Sequence, residues 1–265
     1  MKIAGLSRQV VRALLTTQYA NMLEYRVEIA LWALSGVLPF IMYTLWSSSS
    51  AGTSLDFGAQ GLARYFLSAF LVRQFSVVWV VFAFEEDALL GRLSPYLLQP
   101  LHPLWRYVAT HLAEQATRLP FAVGIAAVFF LLNPEAFWLP MPGQFLLSWL
   151  ATWMAFSIAF LLQSLIACLC FWSERASALE RLLFVPFLFL SGLLAPLAAF
   201  PQAVRDVAQW TPFPYLIDFP ARLLAGLPVD VGRGLLAQLI WLALLLPLVL
   251  LLWRAGVRRY TAMGA

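Results

Sequence analysis

Charge is scarce in this chain. Only 11% of its 265 residues are Asp, Glu, Lys or Arg, while 62% are hydrophobic and the mean hydropathy is +0.82. Soluble domains average about 25% charged residues, so the composition is that of an integral membrane protein. Lysine is nearly absent: Lys2 stands alone, and no G-x-x-x-x-G-K-[ST] run occurs. A P-loop needs that lysine against the nucleotide phosphates, so the chain does not bind ATP in this manner. No polar segment between apolar runs exceeds about 35 residues, too short for a nucleotide-binding domain. The chain is therefore expected to lack enzymatic activity and cofactors, with any ATP used by a partner.

Other absences narrow the class further. The two cysteines, Cys168 and Cys170, lie in an apolar run with no further Cys or His nearby. That spacing suits neither a metal site nor a disulfide. The two histidines, His102 and His111, fall in or beside a polar stretch, so no His lies within a span to activate a serine, which argues against an intramembrane protease. No carboxylate sits mid-span: Glu28, Glu114, Glu135 and Glu180 are at span ends. Ion-coupled carriers place such groups inside the membrane. The first 26 residues show no cleavage site of the secretory type. Nothing points to nucleic acid.

Six apolar runs are long enough to cross a bilayer, at 27–46, 64–84, 117–133, 143–171, 181–200 and 236–254. A span needs about 20 such residues. Before them, residues 1–26 read as a basic amphipathic helix. Ile3, Leu6, Val10 and Leu14 form one stripe, and Lys2, Arg8, Gln9 and Arg12 face away. This suits a helix lying in the membrane surface, or an extension of the first span. Basic residues decide orientation. Twelve fall in the N-terminal segment, the second–third loop, the fourth–fifth loop and the C-terminus, against four (Arg64, Arg205, Arg222, Arg233) on the other side. Both termini are expected in the cytoplasm of a multi-pass protein.

The cytoplasmic stretch at 85–107 is unusually structured for a loop. Glu85, Glu86 and Asp87 open it, Gly91 follows, and Pro95, Pro100 and Pro103 punctuate it. Leu89, Leu90, Leu93 and Leu97 recur at helical spacing. Ser94-Pro95 is a helix-start signal, Pro100 cannot continue that helix, and Pro103 can begin the next. The spacing predicts a short bounded helix, suited to being pushed by something else. The acids and Arg92 serve either local helix electrostatics or a partner's basic groups.

Three further features stand out. Arg73, beside Gln74, is the one charge deep inside a span. It either faces an interior or subunit interface, contacting an anionic headgroup or substrate, or pairs with carbonyls or Gln163 in the bundle. Ser148, Thr152, Ala155 and Ala159 form a small-residue stripe on span four, fit for close packing within the bundle or between subunits. Residues 201–235 are rich in Pro and aromatics. They read as two short helices in a half-embedded outer cap, the second ended by Gly226, or as a plain surface loop.

The run Asp87-Ala88-x-x-Gly91-x-Leu93-x-x-x-Leu97-Leu98-x-Pro100 resembles the pattern between the second and third spans of ABC-2-type transporter permeases. Leu190-Ser191-Gly192-x-x-Ala195-Pro196-Leu197, Phe200-Pro201, Pro212-Phe213-x-Tyr215 and Gly226 are similar to that family's fifth-span exit and outer segment. Ala88 stands where the pattern usually has Ile. The likeness covers nearly the whole chain and fits best the bacterial permeases with short outer loops. It implies one all-α transmembrane domain over 1–265: six spans, an interfacial N-terminal helix, a cytoplasmic coupling helix between spans two and three, and a re-entrant segment at 201–235 before span six. It implies an exporter subunit in the bacterial inner membrane, paired with a second permease, identical or paralogous, and two P-loop ATPase subunits. Glu85, Glu86, Asp87, Leu89, Gly91, Arg92, Leu93, Leu97 and Pro100 would couple to the ATPase. Arg73 and Gln74 would border a translocation path or interface. Membrane lipid would surround the spans. The rival reading is a membrane scaffold of the same topology that transports nothing.

Overall fold

A computed structural model describes residues 8–24, 27, 31, 37–48, 58–173 and 175–260. These residues form helices and connecting turns, with no strand among them. Helix α1 runs Arg8–Glu24, α2 Leu38–Ser47, α3 Gly58–Ser76, α4 Val80–Leu89, α5 Leu93–Leu97 and α6 Leu104–Leu132. They are followed by α7 Pro142–Cys168, α8 Ser177–Leu190, α9 Gln202–Ala208, α10 Asp218–Ala225 and α11 Val231–Val257.

Among the described residues, four stretches are long and apolar enough to cross a membrane: Gly58–Leu89, Leu104–Leu132, Pro142–Phe171 and Val231–Val257. Their burial orders them. The most apolar window of Gly58–Leu89 is 61% buried and that of Pro142–Phe171 50%, against 22% and 17% for the other two. The second and fourth runs of the sequence are thus the centre of the bundle. Residues of the other two, such as Leu131, Leu239 and Leu251, face outward.

The first and fifth expected spans are not among these four. Most of 27–36, the first part of the first span, lies outside the described residues, and α2 covers only its last part. The fifth, expected over 181–200, is a helix of 14 residues that stops at Leu190. Pro186 lies inside it, and Gly192 follows with φ 88°, a left-handed conformation that breaks helical continuation. A Cβ at Gly192 would collide with the Tyr65 hydroxyl and come within 2.7 Å of Asp218 Cβ.

That close approach anchors the outer segment. The Tyr65 hydroxyl lies 2.8 Å from both Asp218 Oδ1 and the Gly192 carbonyl oxygen. The Leu197 amide donates to Asp218 at 3.2 Å, and the Asp218 amide donates to the Ser191 carbonyl at 2.8 Å. One buried carboxylate therefore ties α10 and the end of α8 to α3. Residues 201–235 hold two short helices, α9 and α10, and α10 ends at Gly226 in the left-handed region. Six of the eight residues of α10 are buried, so it is packed into the bundle and not laid over it as a plain loop.

The small-residue stripe on α7 is internal. Ser148, Thr152 and Ala155 are all buried, and Ala155 packs with Leu62, Tyr65 and Phe66 of α3. Nearby, Gln238 of α11 donates to the Ala151 carbonyl at 2.9 Å. Small side chains let these backbones approach, which is how helices associate without a hydrophobic driving force. The expected third span, 117–133, begins earlier, at Leu104. At 1.5 Å per residue its 29 residues reach about 43 Å, beyond the ~30 Å hydrocarbon layer. Counting about 20 residues back from Leu132 sets the boundary near Glu114. Glu114 there pairs with Arg118 at 3.2 Å, one turn deeper.

Candidate functional site

The turn between the first two long spans is built from both ends. Helix α4 carries Glu85, Glu86 and Asp87 on its last turns. Gly91, at φ 70°, then reverses the chain into α5, and the Pro103 ring starts α6. No Cβ clash exists at Gly91. Its requirement is conformational, because an L side chain in this region costs roughly 1–2 kcal/mol.

The acids are committed locally. Asp87 accepts from the Tyr107 hydroxyl at 2.8 Å and from Arg92 Nε at 2.9 Å. Glu86 takes Arg92 Nη2 at 2.6 Å. The hydrogen bond that Arg92 donates to Glu86 leads the effects that raise the Arg92 pKa above its usual value. Glu85 reaches across to α8, accepting from the Ser177 amide at 2.7 Å and its hydroxyl at 2.9 Å. The sequence did not announce that link. Its only trace is a serine near the start of the fifth apolar run. Arg106 stacks over the Tyr96 ring at 4.0 Å and bonds Gln99 at 3.3 Å.

The leucines divide into two sets. Leu93 is fully buried beneath the turn, with Phe84, Tyr107, Phe171 and Trp253, and Leu97 packs against the same cluster. Leu93 was expected as a docking residue, and its burial rules out direct contact with a partner in this structure. Leu89, Leu90 and Leu98 point outward, at 44%, 62% and 88% exposure. Pro100 is exposed beside them. The helix also starts two residues earlier than Ser94-Pro95 suggests, at Leu93 and not at Pro95, with no side-chain cap. The Ser94 hydroxyl instead lies 3.4 Å from that of Tyr260, beyond the end of α11. His102 lies against Trp253, ring centroids 4.6 Å apart, and burial lowers its pKa. The turn is thus seated on an aromatic floor made by α4, α6, α7 and α11.

A second feature lies further along the same span. Helices α3 and α4 are not continuous: residues 77–79 break the expected 64–84 helix. The β-branched pair Val77-Val78 sits at the break, where helix propensity is low. Neighbouring side chains take up backbone groups around it. The Trp79 amide donates to His111 Nε2 at 2.8 Å, the Val81 amide to Gln163 Oε1 at 3.3 Å, and Gln115 donates to the Phe75 carbonyl at 2.6 Å. Broken helices persist in membranes only when protein re-satisfies them in this way. His111 is buried for this reason. Gln163, once a candidate partner for Arg73, is spent on Val81 and on Glu180 at 3.3 Å. Arg73 and Gln74 lie on the last turn or two of α3: Gln74 is buried, and Arg73 lines a cavity of about 330 Å3 beside the break.

The N-terminal helix α1 packs along α6 and buries no residue. Arg8 and Arg12 lie on it, while Lys2 lies outside the described residues.

No curated protein matches this chain. A family model described as ABC-2 family transporter protein matches residues 40–264, from the second described helix to the last residue but one. A chain matched over most of its length by this family model, with four apolar stretches of membrane length among its described residues, belongs to the ABC-2 transporter family and is a multi-pass permease component of an ABC transporter.

Proposed function

We propose that this chain is the permease subunit of an ATP-driven exporter and that the turn over residues 85–107 is where its ATPase docks. Family membership implies an ABC ATPase partner. The observation that carries the docking assignment is the pattern of leucine exposure. Leu89, Leu90 and Leu98 stand out from a turn that Glu85, Asp87 and the buried Leu93 tie to the bundle. A rigid support under an apolar tip transmits a push, because packed elements shift as units. Leu89, Leu90 and Leu98 make the contact, with Glu86, Arg92 and Pro100 at its edge. Glu85, Asp87, Gly91, Leu93 and Leu97 hold the contact surface in shape.

Motion at the turn passes along α4 to the break at 77–79. The remaining topology completes the proposal: six crossings in each chain, with α1 at the membrane surface. Both termini and the turn lie on the cytoplasmic side of a bacterial inner membrane. Two permeases, identical or paralogous, pair with two ATPase subunits. ATP binding and hydrolysis belong to those partners and not to this chain.

A photo-crosslinking amino acid placed at 90, 98 or 210 tests this in intact membranes. Trp210 is 80% exposed and lies on the proposed outer side. Positions 90 and 98 are expected to crosslink to a P-loop ATPase and position 210 is not. Crosslinks to the ATPase from 210, or from none of the three, would reject the docking surface.

A further inference from the structure

The cavity beside the helix break is bordered by a charge that no described residue answers. Arg73 lies near the middle of the 32-residue stretch Gly58–Leu89. Among the described residues no carboxylate lies within ion-pairing distance of it, and its buried Nε has no hydrogen-bond partner. The charge that acts on it is that of Arg118, of the same sign. Arg118 is itself paired with Glu114 at 3.2 Å. The cavity's one carboxylate, Glu180, is occupied: Gln163 donates to it at 3.3 Å, and the Arg181 charge lies near it. An unneutralised guanidinium inside a span is costly, and such groups mark ligand or ion pathways. Elsewhere the wall is mostly apolar, with Phe184, Phe187, Phe213 and Trp241 contributing. Phe184, on that wall, is 43% exposed.

We infer that this cavity binds an anionic amphiphile, with Arg73 taking its phosphate, sulfate or carboxylate headgroup and the aromatic wall taking its apolar chain. The chemistry follows from the two ends of the cavity. A planar guanidinium with a free Nε–H matches an oxyanion. A cavity of about 330 Å3 falls at the small end of the range of ligand sites and accommodates a single chain better than a whole two-chain lipid. The site lies against Val77 and Trp79, the break itself. A ligand there contacts the joint between α3 and α4, so its presence biases the position of α4 and of the turn beyond it. This last step rests on the coupling role proposed above, whereas binding itself does not.

The test uses the purified full-length chain in neutral detergent, followed by native mass spectrometry. Three probes share one tail: dodecyl phosphate, dodecyltrimethylammonium and dodecyl maltoside. Dodecyl phosphate is expected to bind with one-to-one stoichiometry. Its affinity falls at least about tenfold in Arg73→Gln and by less in Arg73→Lys, which keeps the charge and gives up the planar fork. Leu183→Glu, on the exposed rim, leaves the buried arginine untouched and is expected to weaken the phosphate probe alone, through charge repulsion. It keeps the proposal open to refutation if Arg73→Gln does not fold. Equal binding of all three probes, phosphate binding unchanged by a folded Arg73→Gln, or, where that variant does not fold, phosphate binding unchanged by Leu183→Glu, would overturn the assignment.

Two sources of the ligand are then separated in the complex with its ATPase. If the probe stimulates ATP hydrolysis in the unsubstituted complex and not in Arg73→Gln, the anion is a transported solute. If binding leaves hydrolysis unchanged while an anionic phospholipid co-purifies in an Arg73-dependent manner, the site belongs to a bilayer lipid. Either result upholds the anion site, and neither depends on whether Leu90 and Leu98 touch the ATPase.

Discussion

Replacing Asp87 by Asn should loosen the turn without unfolding the bundle. Its carboxylate accepts from Tyr107, whose ring is buried, at 2.8 Å and from Arg92 at 2.9 Å. The tyrosine bond is the protected one, since the Asp87 side chain is only 13% exposed. A hydrogen bond to a charged group contributes about 1.5–3 kcal/mol. The arginine contact adds little, because Arg92 is open to solvent and salt screens it. Asn keeps the shape and one acceptor oxygen but gives up the charge. The loss is the difference between a charged and a neutral bond, about 1–1.5 kcal/mol, so local opening should rise roughly 5- to 13-fold. Hydrogen–deuterium exchange of peptides spanning 85–103, with the protein in lipid nanodiscs, reads this directly. Tyr107→Phe should give a similar increase, the double substitution little more than either alone, and Arg92→Gln much less. If Arg92→Gln loosens the turn more than Tyr107→Phe, or if Asp87→Asn leaves exchange unchanged, the buried bond is not what braces it.

Leu93→Ala should lower thermal stability by about 2–5 kcal/mol, the usual cost of truncating a fully buried leucine. Leu98→Ser, at a site 88% exposed, should leave the melting temperature unchanged and weaken only recovery of the ATPase. A pH titration of stability isolates His102. Burial lowers its folded pKa below 6.5, so the native state resists a proton that the unfolded chain accepts. Its contribution is full above pH 6.5 and is lost as pH falls from there through the lowered folded value. His102→Phe, which keeps a ring on Trp253, should flatten the melting curve between pH 7.5 and 5.5, and an unchanged slope would exclude His102 as the group responsible.

The sequence disclosed what depends on local chemistry. Gly91 and the three prolines delimit the turn, and Gly226 ends α10, because backbone conformation is written in residue type. The central runs were recognisable by length and hydropathy alone. What escaped depends on long-range contact. Leu89, Leu90, Leu93 and Leu97 form one helical pattern, yet Leu93 faces the core and Leu90 solvent. The reversal at Gly91 puts them on different elements. The break at 77–79 is invisible to periodicity because His111, Gln115 and Gln163, which stabilise it, come from other helices. The fifth run reads as a full crossing by hydropathy. Its early end reflects the Tyr65–Asp218 contact with Gly192, in which Tyr65 lies more than a hundred residues from both of the others. The small stripe on α7 allowed two partners, and Leu62, Tyr65 and Phe66 of α3 occupy that face within the same chain.

The most direct test of the transporter account is affinity purification of the full-length chain from its native membrane in mild detergent, with mass spectrometry of the proteins retained. The account predicts a P-loop ATPase recovered at one copy per permease chain, and Leu90→Asp with Leu98→Asp should remove it while the permease itself remains monodisperse. Recovery of the chain with no ATPase, under conditions that keep another ABC complex intact, would contradict coupling to such a partner and leave a membrane scaffold as the better account.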